Sequence, residues 1–155
     1  MARVSLTQFN DAGGAPRNFY NVDTAVGQGC PNRRDDVLLV QYFLRESFKG
    51  VSDFKKDPFP GGVLAVDGRA GPQTFAAIRH FQKVSKAKGF SSAQDGRVDP
   101  PVGEKFHGSI SQTQYTILTM NVAFKKARPQ DWPRVSKASD CPGELRPRLI
   151  EPTFI

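Results

Sequence analysis

The stretch Asp67-Gly68-Arg69-Ala70-Gly71-Pro72-Gln73-Thr74-Phe75-Ala76-Ala77-Ile78 decides how this chain is read. Asp-Gly signals a turn, because glycine reaches positive φ and the aspartate accepts from nearby backbone N–H groups. Pro72 suits the first position of a helix, where its missing N–H would have had no partner. Phe75, Ile78, Phe81 and Val84 then recur at helical spacing, and Ala76 and Ala77 add propensity. The pattern predicts a turn, a loop and an amphipathic helix running from Pro72 to about Lys88, stopped by Gly89.

Working upstream, a helix is expected from Asn32 to Gly50. Asn32 is placed to cap it, Asp35 and Asp36 favour the positive end of its dipole, and Val37, Val40 and Leu44 form its stripe, widened by Leu38, Leu39 and Phe43. Residues 51–66 contain Asp57-Pro-Phe-Pro-Gly-Gly and are not expected to form a regular helix. Residues 1–31 read as an irregular arm with short extended pieces. Downstream, Asp95-Gly96-Arg97-Val98 is a second turn. Ser111 and Gln114 then make a capping box, with Ile110 and Tyr115 placed for a hydrophobic staple and Tyr115, Leu118 and Val122 for a core stripe. Residues 129–155, with prolines at 129, 133, 142, 147 and 152, read as an extended surface tail.

Two segments therefore repeat one plan of turn, loop and helix. Asp67 precedes Thr74 by 7 residues, and Asp95 precedes Thr113 by 18, which puts an insertion in the second copy. Together with Val37-x-x-Val40-Gln41-x-x-Leu44, the series Asp67-Gly-x-x-Gly71-x-x-Thr74-x-x-Ala77-Ile78-x-x-Phe81-Gln82 and Asp95-Gly-x-Val98 resembles the peptidoglycan-binding domain family. The resemblance spans residues 30–122 and departs from the compact family pattern at 49–66 and 100–110. It implies a mainly α chain: a three-helix bundle at 32–128, flanked by the 1–31 arm and the Pro-rich tail at 129–155. It also implies a non-catalytic module that binds bacterial cell wall, through peptidoglycan stem peptides or anionic wall polymers. The alternative is a structural or adaptor protein of a phage or contractile secretion apparatus, binding a protein partner through the insertions and tail.

The candidate ligand-binding residues are Arg69, Gln73, Arg97, Asp67, Asp95 and Tyr115. Arg69 and Arg97 occupy equivalent places in the two turns, and a guanidinium forks onto carboxylates and phosphates. Asp67 and Asp95 have turn-forming roles beside any ligand role, Gln41 and Gln82 suit a helix interface or a loop, and Thr74 suits a local backbone contact. Tyr115 suits either a sugar face or the core.

The chain has 155 residues and a net charge of +7. Seven basic residues face four acidic ones over 67–124 and again over 125–155, so the excess lies in the second half without a polybasic block. That distribution fits an anionic matrix or partner and offers no nucleic-acid signature. No signal peptide is recognised at the N-terminus, no segment has the length of a membrane-spanning helix, and the compartment stays open. No metal-ligand spacing, catalytic carboxylate pair or cofactor-binding motif stands out, so no enzyme activity, metal or cofactor is expected. His107 is the residue an enzyme test would target first. Cys30 and Cys141 are either free thiols or a bond closing a long loop, which would contribute about 4–5 kcal/mol in the chain-entropy account.

Overall fold

The computed structural model describes residues 3–7, 17–90, 93–101 and 115–149. These residues are mainly helical. An antiparallel hairpin pairs β1 (Arg3–Thr7) with β2 (Arg17–Asn21), Val4 opposite Tyr20. A two-residue strand, β3 (Val26–Gly27), leads into α1 (Arg34–Gly50) and the short α2 (Ser52–Lys56). Then come α3 (Pro72–Ala87), β4 (Arg97–Val98) and α4 (Thr116–Ala127), followed by single 3-10 turns at Val135–Lys137 and Arg146–Arg148. β3 pairs antiparallel with β4, Val26 opposite Val98. No described helix is long and apolar enough to cross a membrane.

α1 is the central element. Residues 36–44 are buried on every side, so this segment behaves as a core helix rather than an amphipathic surface one. Its Tyr42 and Phe43 pack on α4, with the Phe43 and Phe124 rings stacked 4.5 Å apart. Phe54 of α2 stacks on Phe81 of α3 at 5.4 Å.

Four expectations change. The helix starts after Arg33, which makes no side-chain cap. Asn32 instead has φ of 50° and closes the preceding loop, accepting from Gly27 N and donating to the carbonyls of Gly27 and Cys30. Residues 51–66 do contain one helical turn, α2, because the breaking prolines begin only at Pro58. The last helix begins at Thr116, with Tyr115 in extended geometry before it, so Tyr115 is not a residue of that helix. The Ser111–Gln114 box lies outside the described residues.

The fourth change concerns the two chain ends. Residues 129–149 are not an extended surface tail: Val135, Leu145 and Leu149 are fully buried. The N-terminal segment does hold short extended pieces, β1 to β3, and its Phe19, Tyr20, Val22 and Val26 join the same core. Tyr20 connects these parts. Its backbone N–H donates to Asn121 Oδ1 at 2.7 Å, and Asn121 Nδ2 donates back to the Tyr20 carbonyl at 2.8 Å. Its hydroxyl donates to the Pro133 carbonyl and accepts from Val135 N. Its ring meets Phe43 and Trp132 edge to face. Spaced apolar residues among prolines can thus anchor a segment that has little regular structure of its own.

Cys30 and Cys141 are both free thiols, so the long-loop bond is not formed here. Burial pushes the Cys141 thiol up to about 11, against the opposing charge of Arg146.

Replacing Tyr20 by Phe leaves the Val135 N–H and the Pro133 carbonyl without this partner while keeping the ring. We expect a loss of about 1–3 kcal/mol, read as a lower urea midpoint with an unchanged slope.

Candidate functional site

The repeated plan is a repeated hydrogen-bond clasp. Gln41, on α1 and 1 % exposed, turns its amide toward the first Asp-Gly turn. Its Oε1 accepts from Asp67 N at 3.0 Å and Gly68 N at 2.9 Å. Its Nε2 faces Asp67 Oδ1, the Arg69 carbonyl and Thr74 Oγ1 at 3.2, 3.0 and 3.0 Å. Gln82 on α3, also 1 % exposed, does the same for the second turn. Its Oε1 accepts from Gly96 N at 2.8 Å, and its Nε2 faces Asp95 Oδ1, the Arg97 carbonyl and Thr116 Oγ1 at 3.1, 3.0 and 3.0 Å.

Each glutamine therefore joins its own helix, an Asp-Gly turn and the first turn of the next long helix. Gly68 and Gly96 have φ of 75° and 71°, the conformation that Asp-Gly predicts. The equivalent threonine of the second copy is Thr116, not Thr113, so Asp and Thr stand 21 residues apart there against 7 in the first copy. The inserted stretch is thus longer than the sequence comparison suggests. His107, within it, lies outside the described residues.

The clasps decide what the candidate residues can do. Asp67 and Asp95 are occupied inside the turns, accepting from Arg69 N at 2.9 Å and Arg97 N at 3.0 Å. The Arg69 N–H, helped by Gln41, holds the Asp67 carboxyl below its ordinary range. Gln73 is also structural: its Nε2 donates to the carbonyls of Gly61 and Val63 at 3.0 and 3.2 Å, and its Oε1 accepts from Ala65 N at 3.4 Å. Tyr115 is half-buried against the core. Arg69 and Arg97 remain exposed, each with both backbone groups consumed by its clasp and the guanidinium turned outward. Arg97 pairs with Asp99 at 3.2 Å and lies close to the Cys30 thiol, which burial raises despite that charge.

Two further features gave no motif in the sequence. The first is an ionic cluster at the end of α4. Arg128 donates to Glu46 Oε1 at 2.8 Å, to Asp131 Oδ2 at 2.7 Å and to both oxygens of Asp140 at 2.7 and 2.9 Å. The Tyr42 hydroxyl donates to Asp140 at 2.7 Å, and Arg45 donates to Glu46 at 2.9 Å. Hydrogen bonds from Arg128, then Tyr42, outweigh burial and hold the Asp140 carboxyl down to about 2. Only the fold could show this, since its members are as far apart as Glu46 and Asp140.

The second is an open groove of about 590 Å³ between the C-terminal half of α1 and the 58–64 segment. Phe48, Phe54, Phe59 and Leu64 line it, with Val63 at its lip and two cations, Arg45 and Lys49, balanced by two carboxylates, Glu46 and Asp140. Phe59 rests on Phe48 at 5.3 Å, and His80, bonded to the Asp57 carbonyl at 2.8 Å, packs against both rings.

Gln82→Ala removes the acceptor for the Gly96 N–H and the partner of Thr116. It is expected to lower stability by about 1–3 kcal/mol, with Gln41→Ala of the same order, both measured by chemical denaturation. Asp140 supplies a pH signature. Its carboxyl is depressed in the folded state, so its contribution is complete above the ordinary aspartate range near pH ~4 and is lost as pH falls toward 2. The urea midpoints of wild type and Asp140→Asn should therefore converge as pH drops from about 5 to about 2. No protein-family model, curated protein or solved structure matches the chain.

Proposed function

We propose that this chain is a non-catalytic module that binds bacterial cell wall, through the carboxylates of peptidoglycan stem peptides or through anionic wall polymers. The observation that carries this reading is the pair of clasped turns, each presenting one arginine from the same backbone setting. The clasp residues Gln41, Asp67, Thr74, Gln82 and Asp95 fall within the series that resembles the peptidoglycan-binding domain family. Because the clasp uses the N–H and C=O of Arg69 and Arg97, the guanidinium is what each turn can offer a ligand, that of Arg97 in exchange for its ion pair with Asp99. A fixed backbone beneath a charged, bidentate donor favours recognition of planar carboxylate or phosphate groups. The net charge of +7 adds a longer-range attraction that salt screens.

The test is a pull-down on purified insoluble peptidoglycan at rising salt, beside a basic control protein of equal net charge. Retention above the control at moderate salt is expected. The double variant Arg69→Ala/Arg97→Ala should lose about tenfold in affinity, equivalent to ~1.4 kcal/mol. Retention no better than the control, or abolished by moderate salt, would overturn the reading.

A further inference from the structure

The two clasped turns share one hydrogen-bond plan, yet they differ in what lies across them. We propose that Arg79, on α3, is the ligand-binding guanidinium of the second turn, and that the group it takes is a single planar carboxylate of a stem peptide rather than the phosphates of a polymer. This rests on the wall-binding reading above and adds to it a residue outside the turns and a choice of ligand class.

Three observations carry it. The first is placement. Arg79 stands three residues before Gln82 on α3, and residues so spaced share one helix face. Gln82 holds the second turn from the buried side, while Arg79 lies across its glycine. A Cβ built on Gly96 would stand 3.0 Å from Arg79 Nε and 3.4 Å from its Cγ. The bare glycine is what gives the guanidinium its room.

The second is availability. The first turn also carries an arginine across its glycine, since a Cβ on Gly68 would stand 2.8 Å from Arg34 Nη1. That arginine is committed. It donates to the Asp67 carbonyl at 2.8 Å and, through Nε and Nη2, to the two oxygens of Glu144 at 2.8 and 2.7 Å. Arg79 is exposed, and its one partner among the described residues is Gln28 Oε1 at 3.4 Å. Arg97, beside it in the turn, is paired with Asp99. Among the described residues each turn thus leaves one guanidinium without a carboxylate, Arg69 at the first and Arg79 at the second.

The third is charge balance. Asp67 and Glu144 offset Arg34 and Arg69, and Asp95 and Asp99 offset Arg79 and Arg97. Counted this way, neither turn carries a net charge to gather a polyanion. What an open guanidinium adds is geometry, two parallel N–H donors matched to one carboxylate.

The experiment measures binding isotherms of the whole chain on insoluble peptidoglycan in moderate salt, with urea midpoints to show that each variant is folded. Arg79→Gln should bind about fivefold more weakly, and Arg79→Lys, which keeps the charge without the fork, at least about threefold. Arg97→Gln, which removes an arginine already paired, should lose no more than about twofold. Soluble stem peptide should displace the chain, and linear polyphosphate at equal charge should not. Wild-type affinity in Arg79→Gln overturns the proposal while leaving wall binding in place. So does full rescue by Arg79→Lys, or displacement by polyphosphate as effective as that by stem peptide. Wild type held no better than a basic control protein overturns the wall reading itself, and this proposal with it.

Discussion

A side-chain amide buried in a helix must find partners for both its oxygen and its nitrogen, and this chain meets that demand twice in the same way. Gln41 and Gln82 sit where water does not reach, and each is satisfied by the turn that follows it. The bond set is reciprocal. The turn needs an acceptor for its inward N–H groups, and the helix needs acceptors for the amide nitrogen. Removing the glutamine strands the turn, and moving the turn strands the glutamine. The arrangement also extends to Thr74 and Thr116, in the first turns of α3 and α4, so two buried side chains tie the three long helices together in series.

Around this frame the chain ends are bound by a different device. Asn121 treats the backbone of Tyr20 as a strand neighbour would, with one bond given and one received. The Tyr20 hydroxyl then holds the segment after α4. Arg128 completes the closure by gathering carboxylates from α1 and from the C-terminal segment. The Tyr20 contacts join residues more than a hundred positions apart, and with Arg128 they turn the flanking segments of a repeated helical unit into part of one core.

Parts of this were legible beforehand. The extents of α1 and α3 follow from apolar periodicity, and the two turns follow from Asp-Gly, because those signals act over a few residues. The equivalence of Asp67 with Asp95 and of Arg69 with Arg97 was also readable. The start of α4 was not, since the Ser111–Gln114 signature and the real start at Thr116 compete over five residues, and the bond from Gln82 accompanies the later one. The proline-rich segment was misread for a related reason. Prolines exclude regular hydrogen bonding but say nothing about whether Val135, Leu145 and Leu149 find a core to enter.

The sequence by itself determined the turn–helix repeat, the central helix and the two arginines that the turns present, because local backbone preference and the spacing of apolar residues suffice for these. Tertiary structure alone decided that Gln41 and Gln82 meet the two turns, that Arg128 assembles its carboxylates, and that the 58–64 segment forms an apolar groove against α1. The reason is the same in each case. Whether a polar side chain is left for a ligand depends on which partners the fold brings within 3 Å of it, and those partners lie far along the chain.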